Sequence, residues 1–157
     1  MNQVTQYKRP YLDSSCYIAA INKEAGRVDA VEAVLAAADR ADIEIVASTF
    51  VAAEVIKMKG QTGFLSTERE AAIDTILRNP RILWVELDLA RAVQARHLAR
   101  DHSLKPGDAV HLASAIHGRA DVLFRYDDRF TVNSALAGLE VCEPYWYGTP
   151  PLPGIRT

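Results

Sequence analysis

Five short apolar runs recur along the chain with helix-patterned segments between them, and this alternation restricts the fold more than any single residue. The runs are Tyr11 to Asp13, "IEIVAS" at Ile43 to Ser48, "RILWVEL" at Arg81 to Leu87, "DVLFRY" at Asp121 to Tyr126 and "LEVCEP" at Leu139 to Pro144. Strands that read as continuous apolar runs are buried on both faces, as in a parallel sheet covered by helices. The intervening segments predict helices from Ser14 to about Lys23, Val28 to Arg40, Phe50 to Lys59 (stopped by Gly60), Ser66 or Thr67 to Arg78, Asp88 to Asp101, and Pro106 to His117. Ser48 or Thr49, Ser66 or Thr67, and Asp88 stand where helix caps belong. The last helix, "PGDAVHLASAIH", is apolar nearly all round, which predicts a central, buried position. The expected class is α/β, with a mostly parallel sheet between helices.

At 157 residues the chain fits one domain, expected over residues 1–143, followed by a Pro-rich tail over 144–157. A net charge of −2 gives no global sign of nucleic-acid binding, while scattered arginines leave room for a local basic surface. The two cysteines, Cys16 and Cys142, form no metal-binding or redox spacing. The amino terminus lacks the apolar core of a secretory signal, and no apolar run reaches membrane-spanning length, so a cytoplasmic protein is expected.

Ligand sites of open parallel sheets form beyond the carboxyl ends of the strands. Four acids fall there. Asp13 ends the first strand, Asp127 follows "VLFRY", and Glu54 and Asp108 lie near the helix starts beside the same edge. Each has a structural alternative. Asp13 suits a helix cap, although Ser14 or Ser15 can take that role. Asp108 complements a helix dipole, and Asp127 suits a turn. Glu54 lies within the apolar stripe of its helix, where a carboxylate needs a partner, and Lys57 at i+3 is one. His111, three residues after Asp108, reads as a packed or hydrogen-bonded histidine. As a set, four carboxylates need a compensating cation. All-oxygen donors select Mg²⁺ or Mn²⁺, and such ions assist phosphodiester hydrolysis.

"YLDSSCYI", "ASTFVAAEVIKM", "LKPGDAVHLASAIHGRA" and "VLFRYDDRF" resemble, in order and spacing, the segments of PIN domains, most nearly those of VapC-like ribonuclease toxins. The resemblance spans Tyr11 to Phe130. It implies a PIN-like sheet flanked by helices and an RNA-cleaving site that uses Mg²⁺ or Mn²⁺. By position, Asp13 and Asp108 would hold the ion, and Glu54 would bind it directly or through water. Asp127 would complete the cluster, with Asp128 as the alternative fourth acid. Ser15 would support the first acid. Family members often carry Thr or Ser two positions before the fourth acid, where this chain has Arg125. Arg125 would then contact a scissile phosphate or pair with the acids.

Lys57, Lys59, Arg125 and Arg129 would help place the RNA backbone. The resemblance further implies a cognate antitoxin that occludes the site, and a homodimer. The alternative is a non-catalytic PIN scaffold that binds RNA or a protein. A haloacid-dehalogenase-type phosphatase is disfavoured, because its second acid would stand at position 15, which is serine.

Overall fold

A computed structural model of the chain describes residues 7–55, 66–126 and 138–145. Among them are five strands, β1 (Pro10–Leu12), β2 (Ile45–Ser48), β3 (Ile82–Val85), β4 (Val122–Phe124) and β5 (Glu140–Cys142). Six helices accompany them: α1 (Ser14–Ile21), α2 (Val28–Asp39), α3 (Phe50–Glu54), α4 (Thr67–Leu77), α5 (Leu89–His102) and α6 (Pro106–His117). Every predicted strand and helix is present. The sheet runs β3-β2-β1-β4-β5 with all pairings parallel. The tail at 146–157 lies outside the described residues.

β1 is central, and Pro10 is its first residue, a position where the missing N–H is tolerated. Tyr11 pairs with Val46 of β2 and Leu123 of β4. Alternation along the strands divides the core. Leu12, Ile45, Ala47 and Phe124 pack with Tyr17, Val34 and Ile73 of α1, α2 and α4. Tyr11, Val46 and Leu123 pack on the opposite face against Leu112 and Ala115 of α6. The apolar helix behaves as predicted, with Ala109 to Ala115 buried without interruption.

α6 lies close to the sheet at its carboxyl end. Gly118 has φ −74°, so backbone conformation does not demand glycine there. Space does. A methyl group on Gly118 would come within 2.5 Å of Val46 Cγ1 and 3.3 Å of Val85 Cγ2. Gly118→Ala is therefore expected to destabilise the protein by about 2 kcal/mol through overpacking. At this chain length that is a fall in Tm of roughly 6 °C, readable by thermal denaturation.

One predicted helix is shorter than expected. α3 ends at Glu54, and Val55 leaves helical geometry at φ −85°, ψ 58°. Val55 is buried in the same cluster as Val51. The apolar spacing that suggested a continuing helix thus reflects burial across a bend in the chain. Residues 56–65, which include Lys57, Lys59 and Gly60, lie outside the described residues.

Candidate active site

Beyond the carboxyl ends of β1 and β2, the amino ends of α1 and α6 meet the last residue of α3. Asp13 follows β1 directly, and its backbone N–H donates to the Phe124 carbonyl of β4 at 3.1 Å. This fixes the acid at the point where the chain leaves the central strand. With ψ 175°, Asp13 itself is the N-cap of α1. Its Oδ1 accepts from the Ser15 backbone N–H at 3.0 Å and from the Ser15 hydroxyl. The cap is therefore the carboxylate, not Ser14 or Ser15 in its place. The Ser15 hydroxyl also accepts the backbone N–H of Tyr126 at 2.9 Å, tying Asp13 to the chain leaving β4.

Asp13 is only 6% exposed. Burial raises its carboxyl above the ordinary aspartate range, against the lowering effect of His111 and of the Ser15 and Cys16 hydrogen bonds. The amino terminus of α1, which Asp13 caps, places partial positive charge at this acid.

Glu54 is half-buried at the end of α3. Its Oε2 accepts from the Ser14 hydroxyl and lies 2.6 Å from His111 Nε2. Burial disfavours the carboxylate, but the hydrogen bonds from His111 and Ser14 hold its pKa below the usual glutamate value. The partner of Glu54 in the described residues is thus His111; Lys57 lies outside them. Oε1 faces the start of α6, where a methyl on Gly107 would sit 3.4 Å away. Asp108, one residue on, is a half-buried acid in the first turn of α6.

His111 is 3% exposed and hydrogen-bonded on both ring nitrogens, as its place in an apolar helix predicts. Sequence reasoning missed the groups around it. Tyr11 Oη lies 2.6 Å from His111 Nδ1 and accepts the Ser48 backbone N–H at 3.3 Å. A tyrosine inside a strand looks like core, and Ser14 differs in no way from Ser15 as sequence. Only the pairing of β1 with β2 brings these groups together.

Asp127, Asp128 and Arg129 lie outside the described residues. Arg125 directly follows β4 and donates its backbone N–H to the Cys142 carbonyl at 3.0 Å. Among the described residues its Nε is buried without a hydrogen-bond partner.

The donors assembled here are carboxylate and hydroxyl oxygens, the chemistry that hard cations take. Among the described residues, however, no three His, Cys, Asp or Glu side chains lie close enough to enclose a metal ion. In this arrangement Glu54 Oε2 is committed to Ser14 and His111, and Asp13 Oδ1 to Ser15.

A protein-family model described as PIN domain matches residues 11–135. Solved structures are also similar to this chain, among them three from toxin–antitoxin systems. The first is VapC20 of Mycobacterium tuberculosis, a sarcin–ricin-loop-cleaving toxin, at 15% identity and a TM-score of 0.59, covering 77% of this chain and 92% of that one. The second is VapBC2 from Rickettsia felis, bound to a DNA fragment from its promoter, at 19% and 0.59, covering 85% and 96%. The third is a toxin–antitoxin complex from Klebsiella pneumoniae, at 18% and 0.57, covering 83% and 94%. At these identities the likeness establishes the fold. No curated protein sequence matches the chain.

Proposed function

This chain belongs to the PIN-domain family, and from that premise we propose that it is a metal-dependent endoribonuclease of the toxin type, held in check by a cognate antitoxin. The observation that supports this most is the gathering of Asp13, Glu54 and the α6 amino end with Asp108 at the carboxyl edge of an all-parallel sheet. That edge is where open α/β sheets bind ligands. Burying an aspartate and half-burying a glutamate there costs stability that a purely structural edge has no need to spend.

Asp13, Glu54, Asp108 and Asp127 would hold Mg²⁺ or Mn²⁺, which would offset the charge of a scissile phosphate and lower the pKa of a water. The chain itself supplies orientation. Ser15 fixes the Asp13 carboxylate relative to the end of β4, and Arg125, which follows β4, would meet a phosphate. Lys57, Lys59 and Arg129 would contact the RNA backbone.

The protein partner is supported by the α5 side of the molecule. Leu87, Leu89 and Val93 are exposed, Leu89 to 80%. Beside them a groove of about 340 Å³ runs between α5 and α6, lined by Ala92, Ala95, Ala99 and Val110 among others. Apolar surface of this kind is characteristic of a protein contact, and an antitoxin or a second copy of the chain would cover it.

The purified protein is expected to cleave a structured RNA in Mg²⁺. Chelation should stop cleavage, and excess Mg²⁺ or Mn²⁺ should restore it; cleavage that persists in chelator would remove the metal-dependent reading. The non-catalytic PIN scaffold keeps one observation in its favour, the commitment of Glu54 to Ser14 and His111. It predicts RNA or protein binding without cleavage under either condition.

A further inference from the structure

The proton positions around Glu54 follow from the groups that surround it. A backbone N–H can only donate, so Ser48 N–H occupies a lone pair of Tyr11 Oη. The Tyr11 hydroxyl is one donor and is buried, so its hydrogen needs a partner. Its one hydrogen is then free for His111 Nδ1 at 2.6 Å. At the other end, an ionised Glu54 can only accept, so the hydrogen between it and His111 belongs to Nε2. Both ends give the same answer. An imidazole that donates from Nε2 and accepts on Nδ1 satisfies each of these contacts.

The ring has little freedom to leave this arrangement. His111 lies on the buried helix, edge-on to Tyr11 at 5.8 Å and tilted against Phe50 at 5.9 Å. The Ser14 hydroxyl completes a clasp on the same carboxylate oxygen. Oε2 is thereby fixed, and Oε1 is directed at the amino end of α6 beside Gly107.

We propose that His111 is a positioning residue for Glu54: backed by Tyr11, it donates Nε2–H to Oε2 and, with Ser14, aims Oε1 toward the Asp108 end of the site. His111 does not touch substrate in this assignment; it acts through the carboxylate. Groups that orient a ligand carboxylate typically contribute about 10- to 100-fold to affinity or activity. The role of Glu54 rests on the ribonuclease reading, whereas the tautomer of His111 does not.

Two measurements on the full chain separate these. ¹⁵N NMR of the histidine-labelled, metal-free protein should show His111 with its proton on Nε2 and an accepting Nδ1, and Tyr11→Phe should give a mixture. A wild-type ring protonated on Nδ1 would overturn the proposal whether or not the protein cleaves RNA. In the cleavage assay, His111→Phe should lower kcat about 10- to 100-fold with KM unchanged. His111→Gln, which retains a donor of similar reach, should recover most of the loss, and serves alone if the Phe variant does not fold. Adding His111→Phe to Glu54→Gln should cost nothing further. Wild-type cleavage by both His111 variants, or losses that multiply in the double variant, would overturn the positioning role and leave the ribonuclease reading intact. No cleavage by wild type would remove the ribonuclease reading, and the tautomer would then decide whether the clasp is built as described.

Discussion

Asp13→Asn is expected to reduce RNA cleavage by about 10³-fold or more, the scale of losing a group that acts directly on transition-state charge, while making the folded protein more stable. The two effects have one cause. Asp13 is buried, and burial raises its carboxyl pKa, so the ionised form needed at a cation site opposes folding. Asparagine keeps the shape and caps a helix as well as aspartate does, so the bond from Ser15 N–H survives while the charge is removed. A gain of about 1 kcal/mol is the expected order for relieving a functional site of this kind, or roughly 3 °C in Tm. The pH dependence carries a definite sign. Between the ordinary aspartate pKa and the raised folded value, the folded state holds the proton more tightly than the unfolded state. Wild-type stability from this group therefore falls as pH rises through that window. The advantage of Asp13→Asn should be absent in acid and full at neutral pH. Thermal denaturation across pH reads it directly, and a variant less stable than wild type at neutral pH would contradict the account of Asp13.

The largest stability effect is expected from Phe124→Ala. Phe124 is fully buried in β4, and its ring meets Tyr7 and Tyr145 edge-on, both at 5.1 Å. Removing a buried phenyl group forfeits its transfer free energy and leaves a cavity, about 3–5 kcal/mol together. Tm should fall by roughly 10 °C. The same strand segment holds the site. The Phe124 carbonyl accepts from Asp13 N–H at 3.1 Å and from the Cys16 thiol at 3.3 Å, and Leu12 pairs with Phe124 in register. Loss of the ring should therefore also loosen the β1–β4 junction. Amide hydrogen exchange of Asp13 should accelerate more than that of Ile82 in β3, on the far side of the sheet.

The architecture was legible because the strands lie in a parallel sheet. The three inner strands β2, β1 and β4 are buried on both faces and read as unbroken apolar runs, and α6 announced its place by being apolar on every side. Cap residues such as Asp88 and Ser66 marked helix starts that the structure reproduces, accepting the N–H of Arg91 and Arg69. The end of α3 was less legible. Val55 continues the apolar spacing of a helix, yet it turns out of helical geometry and still reaches the core. Periodicity reports burial, and burial does not require that the helix go on.

The site divides in the same way. Chain position alone marked Asp13, Glu54 and Asp108 as neighbours of one sheet edge. It did not show which of Asp13, Ser14 and Ser15 caps α1, because the choice depends on the extended backbone of Asp13. Nor did it show that Glu54 is clasped by Ser14 and His111, since those residues lie 40 and 57 positions away in the chain. Such pairings are set by how β1, β2 and α6 stack, which no local pattern encodes.

Mn²⁺ binding to the full chain, followed by calorimetry, bears most directly on the proposal that these carboxylates form a cation site. The wild type should bind the ion at or below millimolar concentration, and Asp13→Asn and Glu54→Gln should each abolish or greatly weaken that binding. No binding by wild type at millimolar Mn²⁺, or binding that both variants retain, would contradict it.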